Sequence, residues 1–210
     1  MNRRGVWQAA LVVALAALLA ACANLSAPRA PATGGDERSE RWRAHRDAVA
    51  ALERYTLTGR VAVQRGDEGG GAKLRWRQTG ADSDLRIMAP LGQGTFKLVG
   101  NAGGVTLSAP DGKQYAAASF EALMAAHVGW SFPVDGARYW VRGLPDPRLP
   151  EDQLVLDEQG RLTDLAQAGW RISVLEYRDH GGLALPARLF LNAGDLKIRL
   201  AIDGWSLPAP

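Results

Sequence analysis

The chain has 210 residues, 47% of them hydrophobic, with a formal net charge of +3 from 25 basic and 22 acidic side chains. So small an excess excludes the electrostatic footprint of a nucleic-acid-binding protein, and one cysteine excludes an intrachain disulfide framework. The roughly 190 residues that follow the amino-terminal segment suit one domain with a sizeable core, above the size at which small exported folds need covalent staples.

Arg3 and Arg4 precede an apolar stretch from Val6 that is densest at Leu11 to Leu19 and ends in small residues. A positive start, a short apolar run and a small-residue cut site make a secretory signal, too short and wrongly flanked for a transmembrane helix. Leu19-Ala20-Ala21-Cys22 resembles the bacterial lipobox. That resemblance implies a signal peptide over residues 1–21, cleavage before Cys22, and acylation of its thiol and new α-amino group. Acylation also accounts for a lone exported cysteine that has no disulfide partner. Two or three acyl chains, at about 0.8 kcal/mol per buried methylene, make a lasting anchor where one chain does not. Ala23 stands where, in enteric bacteria, an Asp retains a lipoprotein in the inner membrane, so the outer membrane is expected. Once Arg3 and Arg4 are removed with the signal, the mature chain is close to neutral.

Residues 22–38 are rich in Ala, Pro, Gly and Ser and read as the acylated cysteine and a flexible tether. The folded domain is expected over residues 39–206. From Ser39 to Arg54 a helix is predicted, with Trp42, Ala48, Val49 and Leu52 on one side and Arg41, Arg43, Arg46 and Asp47 on the other. From Tyr55 the period becomes two, giving a strand to Gln64, a turn over Gly66 to Gly71, and a second strand through Leu74 and Trp76. Further strands are predicted near residues 83–88, 94–99, 104–108 and 113–116, with Asn, Asp and Gly turns between the later ones. Ser119 is a candidate cap for a helix over residues 120–127, and a second short helix spans 134–142 before Gly143 and Pro145. Strands resume near residues 153–157, 162–167, 171–177, 187–192 and 196–205.

The expected fold is therefore mainly β with α: about eleven strands in one antiparallel sheet and about three helices. So many twisted strands curl into an unclosed half-barrel, and helices too few to cover its apolar concave face leave a cavity there. Trp76, Trp140 and Trp170 read either as the lining of that cavity or as ordinary core aromatics. Met88-Ala89-Pro90-Leu91-Gly92 combines turn residues with apolar ones. Leu91 there either folds back onto the core or stands exposed as a probe for membrane or acyl chain. Arg75, Arg77 and Arg86 read equally as a steering patch for an acidic partner or as solvated sheet edges. His45, His127 and His180 lack metal-type spacing, no nucleotide-binding motif is present, and the only cysteine is used as the anchor. No enzyme activity, metal or cofactor is expected.

Taken in order, the lipobox, the Trp-containing helix, Trp76-Arg77-Gln78-Thr79-Gly80, Ala89-Pro90-Leu91-Gly92, Tyr139-Trp140-Val141-Arg142-Gly143-Leu144-Pro145 and Asp203-Gly204-Trp205 resemble the LolB family of outer-membrane lipoprotein receptors. The similarity runs over nearly the whole mature chain; the run Gly66 to Gly71 and the tail Pro208 to Pro210 depart from it. The resemblance implies an unclosed β-barrel with a helical lid over an apolar cavity. It further implies a monomer, lipid-anchored in the outer membrane and facing the periplasm. Such a receptor takes triacylated lipoproteins from the soluble carrier LolA and inserts them into that membrane without nucleotide hydrolysis. In that family the leucine of the Pro-Leu-Gly turn protrudes and serves membrane insertion, a role that carries over to Leu91. The alternative is a structural envelope lipoprotein whose β core is solid and transfers no lipid.

Overall fold

Apolar side chains at every second position need one sheet face to bury, and the chain supplies eleven such segments in antiparallel succession. A computed structural model describes residues 34–127 and 132–208. The signal segment, Cys22, Ala23 and the tether up to residue 33 lie outside the described residues. The chain divides into two units, Met1–Glu37 and Arg38–Pro210, and every strand belongs to the second.

Helix α1 (Gly34–Ala50) is followed by strands β1 (Arg54–Arg65), β2 (Glu68–Thr79), β3 (Asp82–Met88), β4 (Thr95–Asn101), β5 (Gly104–Ser108) and β6 (Gln114–Ala117). Helices α2 (Phe120–His127) and α3 (Val134–Trp140) come next. Strands β7 (Gln153–Leu156), β8 (Leu162–Gln167), β9 (Trp170–Asp179), β10 (Ala184–Ala193) and β11 (Leu196–Ser206) complete the order. The sheet runs β6-β5-β4-β3-β2-β1-β11-β10-β9-β8-β7. Two meanders are thus fused where the first strand pairs with the last, Val61 opposite Leu200 and Leu57 opposite Trp205. The edges are β6 and β7, and the helical segment between them in sequence carries the chain from one edge to the other. That topology fixes the helices on the open side of an unclosed half-barrel.

The inner face is read directly from burial. Tyr55 and Leu57 on β1, Leu74 and Trp76 on β2, Leu85 on β3, Leu98 on β4, and Leu196, Ile198, Leu200 and Ile202 on β11 are all buried in one cluster. Phe120 and Leu123 of α2 and Val134, Ala137 and Trp140 of α3 join the same cluster, so the helices act as its cover. Ser119 caps α2 as expected, its Oγ accepting from the Ala122 amide at 3.1 Å.

Three boundaries differ from expectation. Helix α1 begins at Gly34, so residues 34–38, read as tether, are helical. It also stops at Ala50, because Arg54 is already paired with Thr79 in the sheet; Leu52 follows the helix and Ala48 is exposed. The glycine run is not a wide turn: Arg65 pairs with Glu68, leaving Gly66 and Asp67 as the loop, while Gly69, Gly70 and Gly71 continue β2. Arg75, Arg77 and Arg86 lie on β2 and β3, inside the sheet and not at its edges.

Candidate functional site

Two buried glutamines hold two of the three singled-out tryptophans. Trp76 is 2% exposed, and its indole Nε1 donates to Gln78 Oε1 at 2.9 Å. The same oxygen accepts from Ser83 Oγ at 2.7 Å, and Gln78 Nε2 donates to the Gly80 carbonyl. Trp140 is fully buried and donates to Gln167 Oε1 at 2.9 Å. Trp170 is 8% exposed; its ring lies 6.0 Å from that of Trp140 and meets Phe132 edge-on at 5.4 Å. The fold therefore brings Trp140 and Trp170 together and places Trp76 in the same cluster. All three ring systems are covered by neighbouring side chains rather than facing an open void. Neither glutamine is conspicuous in the sequence; the only signal is a polar residue at an inward position of an alternating strand.

The inner face opens at one end. Val61 and Val63 of β1, Ala72 of β2 and Ile87 of β3 are half-buried, and Phe96, opposite Ile87, is 37% exposed. This apolar strip lies where β3 and β4 run into the turn that carries Leu91. Leu91 does not fold back onto the core; it is 97% exposed. The turn is pinned by the Ala89 amide donating to the Gly94 carbonyl at 3.0 Å and the Gln93 amide donating to the Pro90 carbonyl at 3.2 Å. Leu91 has φ 56° and Gly92 φ 76°. A leucine in the left-handed region is strained, and a fully solvated one gains nothing from burial, so neither packing nor backbone preference explains it.

Met88 to Leu91 also form one wall of a groove of about 1140 Å³ on the outer face of the sheet. Its lining also includes the apolar Phe190 and Leu175 and the basic Arg60, Lys73, Arg188 and Arg199. Arg60 pairs with Asp203 at 3.2 Å, Arg188 with Glu176 at 3.0 Å, and Arg199 lies over the Phe190 ring at 5.4 Å.

The cover is tied down by polar groups that sequence reading assigned no role. Arg142, after α3, donates to the carbonyls of Leu52 at 2.9 Å and Val49 at 3.3 Å, and its guanidinium lies over the rings of Tyr55 and Tyr139. Burial pushes the Arg142 guanidinium below its ordinary value, and burial raises the Tyr55 phenol well above its own. Burial also pushes the Asp146 carboxyl up, but hydrogen bonds from Arg148, one of them 2.6 Å long, outweigh it and hold the group below the ordinary carboxylate value. His45 packs edge-on against Tyr177 and His127 lies on Tyr115. Among the described residues no three His, Cys, Asp or Glu side chains gather as a metal site, and no helix is long and apolar enough to cross a membrane.

An unclosed antiparallel sheet with helices packed on its inner face is the fold that the motif order implied. The family described as outer membrane lipoprotein LolB matches residues 53–205. The chain belongs to the LolB family. It is 40% identical to the outer-membrane lipoprotein LolB of Nitrosococcus oceani over 190 residues, covering 90% of this chain and 92% of that one. It is 38% identical to the LolB of Pseudomonas putida strain W619 over 191 residues, with 91% and 92% covered. Among solved structures it is similar to a LolA superfamily protein from Nitrosomonas europaea, with TM-score 0.52 at 7% identity over 80% of this chain and 94% of that one. A DUF1329 family protein from Desulfovibrio piger gives TM-score 0.51 at 9% identity, covering 82% and 92%. At such low identity the last two speak to the fold alone. These two solved structures thus share their fold with this chain.

Proposed function

We propose that this LolB-family chain is an outer-membrane lipoprotein receptor, anchored through acylated Cys22 and facing the periplasm. It accepts triacylated lipoproteins from the carrier LolA and inserts them into the outer membrane without nucleotide hydrolysis. The observation that carries this reading is Leu91, an apolar side chain held bare to solvent at the end of the sheet where the inner apolar face is open.

Solubility sets the mechanism. Three acyl chains of about fifteen methylenes each cost roughly 36 kcal/mol to expose to water, as an upper estimate at about 0.8 kcal/mol per methylene. Free diffusion is thereby excluded, and the lipid moves from one apolar interior to the next and then into the bilayer. In this chain the half-buried strip of Val61, Val63, Ile87 and Phe96 is the entry. Trp76, Trp140 and Trp170 line the interior that receives the chains once the α2–α3 cover shifts, and Leu91 enters the membrane at delivery. Packed side chains that lose their neighbours on opening regain apolar contacts from the incoming lipid, so the exchange is close to balanced and needs no external energy.

The covered state of the three tryptophans favours one rival, a structural envelope lipoprotein with a solid core. Transfer of a radiolabelled triacylated lipoprotein from loaded carrier to residues 23–210, followed by delivery to vesicles, separates the two. Receptor function requires transfer and co-purifying lipid in the mass spectrum; a solid-core protein takes up neither.

A further inference from the structure

The outer face of β2, β3 and β4 carries a row of like charges that folding alone does not explain. Arg75 stands directly opposite Arg86, and Arg86 directly opposite Lys97. Lys73 stands opposite Met88, two residue pairs nearer the Leu91 turn and on the same face. All four cations are exposed. Like charges directly opposite one another on neighbouring strands repel and destabilise the pair. The acid among them is Asp84, which reaches Arg77 at 3.4 Å and Arg86 at 3.6 Å; Lys73, Arg75 and Lys97 form no ion pair among the described residues. Arg75, Arg77 and Arg86 surround, with Asp84, a small cleft of about 150 Å³, and guanidinium groups match phosphate oxygens in geometry as well as charge.

The position of this row relative to the turn decides its partner. Met88 and Phe96, each 37% exposed, flank Leu91 at the tip. Arg75, Arg86 and Lys97 come immediately behind them, Arg86 two residues or roughly 7 Å along the strand from Met88, while Lys73 is level with Met88 and its long stem lets the ammonium reach back to the same depth. The headgroup zone of one leaflet, half the difference between about 40–45 Å and about 30 Å, is on the order of 5–7 Å deep. With the tip in hydrocarbon, the cations therefore fall at headgroup depth. An apolar end followed by a cationic belt is the layering that a bilayer surface has and a folded protein partner does not.

We propose that Lys73, Arg75, Arg86 and Lys97 form a belt that docks on anionic phospholipid headgroups while the Met88–Leu91–Phe96 tip enters the membrane. The proposal rests on the reading of Leu91 as the inserting residue. The belt sets the depth and orientation at which the receptor meets the bilayer, so the open end of the inner face is turned toward the lipid at delivery.

The test uses residues 23–210, which contain the whole Arg38–Pro210 unit, in flotation with vesicles of phosphatidylethanolamine alone or with about 30% phosphatidylglycerol, at low and high salt. The wild-type chain is expected to bind the anionic vesicles roughly tenfold or more tightly than the neutral ones, with the preference lost at high salt. The combined variant Lys73→Gln, Arg75→Gln, Arg86→Gln and Lys97→Gln binds both vesicles alike. A variant with Arg75→Lys and Arg86→Lys keeps the preference. Leu91→Gln weakens binding to both vesicles while their ratio stays, so failure of the tip and failure of the belt give different patterns. An unchanged preference in the glutamine variant overturns the proposal, as does a wild-type chain with no salt-sensitive preference, a measurement independent of whether the variant folds. Slower carrier-to-receptor transfer without vesicles, with vesicle binding unaffected, overturns it in favour of a carrier dock.

Discussion

The indole of Trp140, on the helix that covers the sheet, is joined to Gln167 at the end of β8 by a 2.9 Å hydrogen bond between two buried side chains. Gln167 makes use of every polar atom it has. Its Oε1 also accepts from the Asp146 amide at 2.9 Å, and its Nε2 donates to the carbonyls of Asp146 at 2.9 Å and Leu149 at 3.0 Å. One side chain thus fixes the lid helix, the segment after it and the sheet, and does so where water cannot substitute.

Replacing Gln167 by Leu strands the Trp140 N–H, the Asp146 amide and the two carbonyls. The expected cost is about 3–5 kcal/mol of folding stability, read from urea unfolding of residues 23–210. Gln78→Leu breaks a smaller set, Trp76, Ser83 and Gly80, and costs less, about 2–3 kcal/mol.

Leu91→Asn separates fold from function at the turn. Asparagine tolerates the left-handed backbone that strains leucine, so stability is unchanged or rises by up to about 1 kcal/mol. Delivery of lipoprotein to vesicles falls sharply even though uptake from the carrier persists. A variant that delivers as well as the wild type removes Leu91 from the mechanism.

His45 gives the domain a pH dependence of defined sign. Burial first, and Arg161 second, hold its imidazole below the ordinary value of 6.5, with Asp157 opposing them. The folded chain keeps His45 neutral at pH values where the unfolded chain protonates it. Its contribution to stability is complete above the unfolded value and is lost as pH falls through the folded one. His45→Phe keeps an aromatic ring against Tyr177 and flattens the decline in melting temperature between neutral pH and about pH 5.

Gly160 turns the chain between β7 and β8 with φ 73°, beneath α1. A β-carbon there would lie 2.6 Å from the Trp42 amide nitrogen and 2.8 Å from the Arg41 carbonyl carbon. Backbone cannot yield as a side-chain end does, so Gly160→Ala is expected to cost about 2–4 kcal/mol and to loosen α1. Hydrogen exchange in α1, faster than in the wild type while the amides of β1 and β11 stay protected, checks it.

The sequence by itself determined the eleven strands, the two central helices, the Ser119 cap and the apolar turn at Leu91, because a two-residue alternation and turn chemistry are local properties of neighbouring side chains. The order of motifs also carried the family, and with it the side on which Leu91 falls, which its own local pattern left open. The tertiary structure alone decided what depends on distant partners. The pairing of β1 with β11 makes one sheet of two meanders. It also decided the burial of Gln78 and Gln167 beside tryptophans, the closure of the helices over those rings, and the alignment of Arg75, Arg86 and Lys97 across three strands. Each of these is a register or a contact between residues far apart in the chain, and its energy is set by which groups meet after the sheet has curled, a quantity that no run of adjacent residues encodes.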